Sequence, residues 1–234
     1  MKNILVIGSL GKMGKEIIKE LKGKKEVKVT GMDKGDNFPN EKIDLIIDFS
    51  VKEAVFNNLN FALKNNAAYL SGITGFSNEE IESIKTFSNS IPVLLDYNMS
   101  IGINVITSIL NQLKTKLKDY DIEIIETHHK YKKDSPSGTA RKLFNELNKN
   151  NEYKNTHGRH GENTRIPEEI GIHAIRGGGV FGEHTVRFLG EHEEVSISHR
   201  AFSRLTFVKG AVNAGLWLLN RDKGFYTMRD FLNF

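Results

Sequence analysis

The chain has 234 residues, 38% hydrophobic and 26% charged, the balance of a folded globular protein and not of a disordered one. It has no cysteine, which excludes disulfides, thiolate metal sites and a cysteine nucleophile. The net charge of +4 is spread among carboxylates, as in "KGKKEVK" with its own Glu26. It therefore lacks the concentrated basic face of a nucleic-acid reader. No run approaches the ~20 apolar residues of a membrane span. The opening "MKNILVIG" lacks the long apolar stretch and cleavage site of a secretory signal, so no membrane partner and a cytoplasmic location are expected.

The first half alternates strand and helix patterns. "NILVIG" reads as a buried strand, and residues 12 to 21 carry helical spacing. "VKVTGMD" and "IDLIIDFS" are further strands, followed by a helix over 52–65, the strand "AAYLSG", a helix over 77–88 and the strand "IPVLLDYN". Apolar strands separated by helices predict a parallel sheet covered on both faces. Beyond Asn98 the pattern changes. A long helix, "SIGINVITSILNQLKTKL", leads to the strand "YDIEIIETHH" and a helix from Pro136 to Leu147. Then "IGIHAIR", "EHTVRFL" and "EEVSISHRAF" alternate with period two, as in a mixed or antiparallel sheet with one covered face. Residues 148–165 are polar and read as a mobile loop. The apolar tail, "GAVNAGLWLLN" and "MRDFL", needs a partner and is expected to return to the first domain. The predicted fold is α/β. It combines an N-terminal Rossmann-like dinucleotide-binding domain (1–99 and 205–234) with a smaller α+β domain (100–204) for substrate binding and oligomerisation.

"GSLGKMG" places Gly8, Gly11 and Gly14 directly after the first strand and at the start of a helix. That register suits a tight turn, close approach of a pyrophosphate and close helix packing. The leading amides of the helix would then face the phosphates. Asp33 ends the second strand, where a carboxylate accepts from an adenine ribose. Lys34 follows and is suited to a 2′-phosphate, so NADH and NADPH are both expected as cofactors.

"ETHHKYKKDSPSGTA" is a strand running into a loop and a helix. Ser135 is placed to cap that helix with Pro136 at its first position. This exposes the N–H groups of Ser137, Gly138 and Thr139 to a carboxylate. Of His128 and His129, strand alternation turns one toward the cleft, and a histidine there exchanges protons near neutral pH. Lys132 and Lys133 add positive charge. A metal is not expected, because no carboxylate stands at ligand spacing beside the two histidines. His184 shares a strand face with Val186 and Phe188, and His199 with Val195 and Ile197, so both read as structural. His157, Arg159 and His160 lie in the polar loop, where they would swing over a bound anion.

With these motifs, "DFS", "SGITGF", "NMSIGIN", "RGGGVFGEHTV" and "SRLTFVKGA" in order along the chain, the sequence resembles the dihydrodipicolinate reductase family. The resemblance implies a two-domain NAD(P)H-dependent reductase of a cyclic dicarboxylate in diaminopimelate and lysine biosynthesis. It also implies a homotetramer, consistent with the alternating strands of the second domain. It assigns His128 as proton donor and acceptor and Lys132 as a proton-donating lysine, with His129, Gly138 and Thr139 as substrate contacts. Cofactor positions follow at Gly8, Ser9, Leu10, Gly11, Lys12, Met13 and Asp33, at Gly72, Ile73 and Thr74, at Asp96, Tyr97, Asn98 and Met99, and at Arg204. Tyr131 stands where the family often has histidine, Ser135 where alanine is usual, and "DYNM" replaces a more apolar pair before Asn98. A hinge is expected near residues 98–102. The rival reading is a dinucleotide sensor with a decayed site. The intact histidine pair, Lys132 and the Ser-Gly-Thr turn argue against it.

Overall fold

The computed structural model describes residues 1–234. In chain order its elements are β1 (Lys2–Ile7), α1 (Lys12–Lys22), β2 (Val27–Met32), β3 (Leu45–Asp48), α2 (Val55–Asn65), β4 (Ala68–Ser71), α3 (Asn78–Phe87), β5 (Pro92–Leu95) and α4 (Ile101–Lys116). There follow β6 (Asp121–His128), α5 (Gly138–Leu147), β7 (Lys154–His157), β8 (Glu169–Arg176), β9 (Gly182–Leu189), β10 (Glu194–Ala201), α6 (Leu205–Leu218), β11 (Gly224–Tyr226) and α7 (Met228–Phe231). A short 3₁₀ turn, Lys52–Ala54, precedes α2. The chain forms two compact units, Met1–Ile101 with Arg204–Phe234, and Gly102–Ser203. No helix is long and apolar enough to cross a membrane.

The first unit is a six-stranded parallel sheet in the order β11-β5-β4-β3-β1-β2. Successive strand side chains point to opposite faces, and here both faces are covered. Ile4, Val6, Leu45 and Ile47 pack with Ile17 and Leu21 of α1 and Val208 and Val212 of α6. Leu5, Ile7, Ile46 and Tyr69 pack with Leu59 of α2 and Ile84 of α3 on the other side. This double burial explains why the strands read as unbroken apolar runs. It also places the carboxyl ends of β1, β3 and β4 along one edge of the sheet, where open α/β folds bind ligands.

The second unit holds a mixed five-stranded sheet in the order β10-β9-β6-β8-β7. β9 runs antiparallel to β6 and β10, while β8 runs parallel to both β6 and β7. One face packs Ile122, Ile124, Val186 and Phe188 against Leu110 of α4 and Leu143 and Leu147 of α5. The other carries Glu123, Arg187, and the hydrogen-bonded pair Thr185 and Ser198.

Three features differ from the sequence reading. β7 lies inside the stretch expected to be a loop, pairing with β8 at the sheet edge. Its residues, "KNTH", are mostly exposed and carry no apolar alternation to reveal a strand. β11 is a three-residue edge strand too short to show a period. Finally, α5 begins at Gly138 and not at Pro136, because Ser137 is extended (φ −64°, ψ 159°) and is itself the cap.

Candidate active site

In the first unit the turn after β1 is built around missing side chains. Gly8 has φ +78°, and a Cβ on it would lie 2.6 Å from the carbonyl oxygen of Phe49. A Cβ on Gly14 would overlap the carbonyl of Gly8, so α1 lies hard against the turn. Gly11 caps α1 without a side chain, and its N–H donates to the Gly8 carbonyl at 3.0 Å. The leading amides of Lys12 and Met13 have no partner within the helix. Their dipole end attracts anions, so a bare, uncapped turn of this kind fits a pyrophosphate. Ser9 donates its N–H to the Met32 carbonyl, and Leu10 donates its own to Oδ2 of Asp33 at 2.8 Å. Backbone N–H groups of Leu10 and Lys34 hold the Asp33 carboxyl below its usual range. Asp33 thus fastens the glycine turn to the end of β2, beside exposed Lys34.

The ends of β3 and β4 continue this edge. Phe49, Ser50, Val51 and Lys52 line a pocket of about 410 Å³ with Gly72, Ile73 and Thr74. Beneath it is a carboxylate the sequence reading did not single out. Asp48 is fully buried, accepting from Ser50 N–H at 2.9 Å, Asn58 Nδ2 at 2.7 Å and the Tyr69 hydroxyl at 2.7 Å. Burial and the Asp48 charge push the Tyr69 hydroxyl well above its usual pKa. The available signal was an acid closing an otherwise apolar strand, "LIID". After β5, Asp96 accepts from the N–H groups of Asn98 (3.1 Å) and Met228 (3.3 Å), and Asn98 accepts from Ser100 N–H at 2.8 Å. Met99 is buried, and Tyr97 is 48% exposed. Arg204 lies in this unit, half-buried at the cap of α6.

In the second unit β6 delivers His128 to the buried face of its sheet, while His129 is half-buried just beyond the strand. Two residues before His128, and so on the same face, stands Glu126, with no exposed surface. Its Oε2 pairs with Nδ1 of His128. Its Oε1 accepts from Ser137 N–H at 2.9 Å and from Arg176 Nη2 at 2.8 Å. Burial raises the Glu126 pKa, but the bonds from His128, Arg176 and Ser137 outweigh it and hold it at about 2. Lys132 pairs with Asp134 at 2.8 Å. Arg176 also donates to the Asp134 carbonyl at 2.7 Å, while the N–H of Gly177 donates to the His128 carbonyl and that of His129 to the Val180 carbonyl.

The expectations for the start of α5 need correcting. The cap is Ser137, whose Oγ accepts from Ala140 N–H, and Ser135 and Pro136 lie outside the helix. The Ser137 N–H is spent on Glu126, so it is not offered to a ligand. Gly138 and Thr139 occupy the first turn.

His184 is also not a bystander. Its ring centroid lies 5.1 Å from that of His128, edge to face, and its Nε2 is 3.1 Å from Ser137 Oγ. Burial, then the charge of His128, lowers its pKa to about 3. Glu126, His128 and His184 bring ligand-type atoms within 4.8 Å of one another, which overturns the statement that no carboxylate stands beside the histidines. The guanidinium of Arg176 on the same carboxylate opposes a cation there by charge repulsion.

The polar loop is pinned down as well. Arg159 pairs with Glu169 and Glu123, and Arg165 pairs with Asp121 and Glu123 at 2.8 Å each. Glu169 is buried and Glu123 half-buried, and a carboxylate withdrawn from water is costly without a charged partner. Arg159 is committed to this network and not available to swing over an anion.

Two family models cover most of the chain. "Dihydrodipicolinate reductase, N-terminus" matches residues 23–99, and "Dihydrodipicolinate reductase, C-terminus" matches 102–232. The 4-hydroxy-tetrahydrodipicolinate reductase of Aquifex aeolicus is 40% identical over 98% of both chains, and that of Methanoculleus marisnigri 38% identical over 99% of both. Among solved structures, a dipicolinate-bound dihydrodipicolinate reductase from Paenisporosarcina sp. TG-14 superposes with a TM-score of 0.81 at 23% identity, covering 99% of each chain. The fold is shared more distantly with an aspartate dehydrogenase from Thermotoga maritima (TM-score 0.52, 12% identity, covering 94% of this chain and 97% of that one).

Proposed function

The chain belongs to the dihydrodipicolinate reductase family, and from that premise we propose how its residues carry out the NAD(P)H-dependent reduction of 4-hydroxy-tetrahydrodipicolinate. The enzyme is an oxidoreductase of the diaminopimelate route to lysine and uses NADH or NADPH. Bound at the glycine turn, the reduced nicotinamide cofactor supplies a hydride to the unsaturated ring. The chain's own residues orient, neutralise and protonate.

In the first unit, Gly8 through Met13 receive the pyrophosphate, and Asp33 and Lys34 face the adenosine ribose. The segments 72–74 and 96–99, with Arg204, serve the nicotinamide end. In the second unit, the Gly138 and Thr139 end of α5 takes one substrate carboxylate, favoured by the helix dipole. His129 contacts the substrate, and the ammonium of Lys132 balances the remaining charge. The 4-hydroxyl and a neighbouring ring hydrogen first leave as water, giving a conjugated imine, and hydride addition to that imine leaves a nitrogen-stabilised anion. His128 then supplies the proton, with Lys132 as the second donor. A positioned acid of this kind contributes about 10²–10⁴-fold. The observation that carries this reading is the convergence of His128, Ser137 and Arg176 on one buried carboxylate, Glu126. It fixes an imidazole beside the leading turn of a helix.

The second unit's open face, with Ile125, Thr127 and half-exposed Ile175, supports self-association, as in the homotetramer that the family resemblance implies, and light scattering measures that assembly. The test of the chemistry is steady-state oxidation of NADH and of NADPH with and without the cyclic substrate. His128→Ala and Lys132→Ala each lower kcat strongly and leave NADH affinity near wild type. Wild-type turnover in both variants contradicts the assigned roles.

A further inference from the structure

We propose that Glu126 is a positioning residue: its carboxylate fixes His128 through Nδ1, so that Nε2 is the nitrogen that exchanges the proton, and it ties that imidazole to the capping turn of the substrate-gripping helix. The inference rests on the role of His128 given above. It goes beyond that role in naming the group that sets the ring's tautomer and orientation.

Glu126 Oε2 and His128 Nδ1 meet each other, and neither has another partner. An ionised carboxylate only accepts, so Nδ1 must carry its hydrogen. The neutral ring then presents a bare Nε2, and the protonated ring presents its labile proton there. Space is kept for that atom. A Cβ on Gly182 would lie 3.0 Å from His128 Nε2, so any larger residue would crowd it. The other oxygen, Oε1, holds Ser137 N–H and Arg176. One buried carboxylate thereby sets both the imidazole and the residue that caps α5.

The charged and titratable groups around the pair are Arg176 on β8, His184 on β9, Lys132 in the loop after β6, and His199 on β10, which acts on His184. None of these is hydrogen-bonded to Nδ1, whose contact is with Glu126. Removing its negative charge weakens the protonated ring and allows it to rotate or switch tautomer.

The first measurement uses ¹⁵N-histidine-labelled full-length enzyme. At a pH where His128 is neutral, the proposal requires hydrogen on Nδ1 and none on Nε2, and the opposite tautomer overturns it. The second compares Glu126→Gln, Glu126→Asp and His128→Ala, with near-native circular dichroism checked first. Glu126→Gln is expected to lower kcat at least about 10- to 100-fold, by analogy with the loss when the orienting partner of a metal-bound imidazole is removed. KM should change less than kcat, and the basic limb of the pH profile should move to lower pH. Glu126→Asp keeps the charge and restores that limb. Should Glu126→Gln not fold, the tautomer decides alone. Impaired His128→Ala with a Glu126→Gln of wild-type kcat and pH profile overturns this inference only. Unimpaired His128→Ala overturns the role of His128 itself.

Discussion

Nε2 of His184 lies 3.1 Å from Oγ of Ser137, the residue that caps α5. This imidazole is kept neutral, its pKa lowered to about 3 by burial and then by the neighbouring charge of His128. An unfolded chain binds a proton at this residue near pH 6.5, whereas the folded one does so only near pH 3. Between those values the unfolded state holds more protons, so stability falls as pH falls. Glu126, held at about 2, adds its own loss only below about pH 4.5. The window from 6.5 to 4.5 therefore belongs to His184, with a smaller part from half-buried His199, whose pKa burial also lowers. Urea unfolding across this window is expected to lose on the order of a few kcal/mol, with a shallower slope in His184→Gln. An equal slope in the variant contradicts the assignment.

The buried carboxylate of Asp48 is satisfied by three donors, one of them the Tyr69 hydroxyl. Tyr69→Phe leaves volume nearly unchanged but removes a donor. A buried acceptor deprived of a partner costs about 1–3 kcal/mol. Chemical denaturation should show that loss with an unchanged m-value, and a variant as stable as wild type would refute the network's role.

Asp33 anchors the glycine turn through Leu10 N–H. In Asp33→Ala the turn loses that tie and the ribose loses an acceptor. KM for NADH is expected to rise roughly three- to tenfold while kcat changes little. Stopped-flow binding of NADH checks the same point directly.

Arg159 separates two pictures of the 148–165 stretch. A residue swinging over an anion would raise the substrate KM when removed. The pairing with Glu169 and Glu123 instead predicts that Arg159→Ala lowers Tm by a few degrees and leaves KM within about twofold. A large rise in KM at unchanged Tm would reverse this conclusion.

The sequence revealed most where one physical signal dominates. Double burial wrote β1, β3 and β4 as unbroken apolar runs, and the spacing of Gly8, Gly11 and Gly14 followed from a turn with no room for side chains. Period-two alternation marked β8, β9 and β10, although among these three burial alternates only in β9 and β10. What stayed hidden was set by contacts between distant segments. His184 looked structural because its strand neighbours are apolar, yet β6 and β9 pair Glu126 with His184 across the sheet. Glu126 was passed over because period two was read for burial and not for which polar residues share a face with His128. The cap of α5 was misplaced by two residues, since either serine of "SPSG" satisfies the local rule and only Glu126, eleven residues upstream, claims the second one's N–H. β7 had no apolar pattern because an exposed edge strand needs none.

The most direct measurement of the central claim is a crystal structure with pyridine-2,6-dicarboxylate, a planar mimic of the substrate ring. The account predicts one carboxylate on the backbone of Gly138 and Thr139, with the ring within hydrogen-bonding reach of His128 and Lys132. A ring acid bound away from α5, with Glu126, His128 and Lys132 untouched, would contradict it.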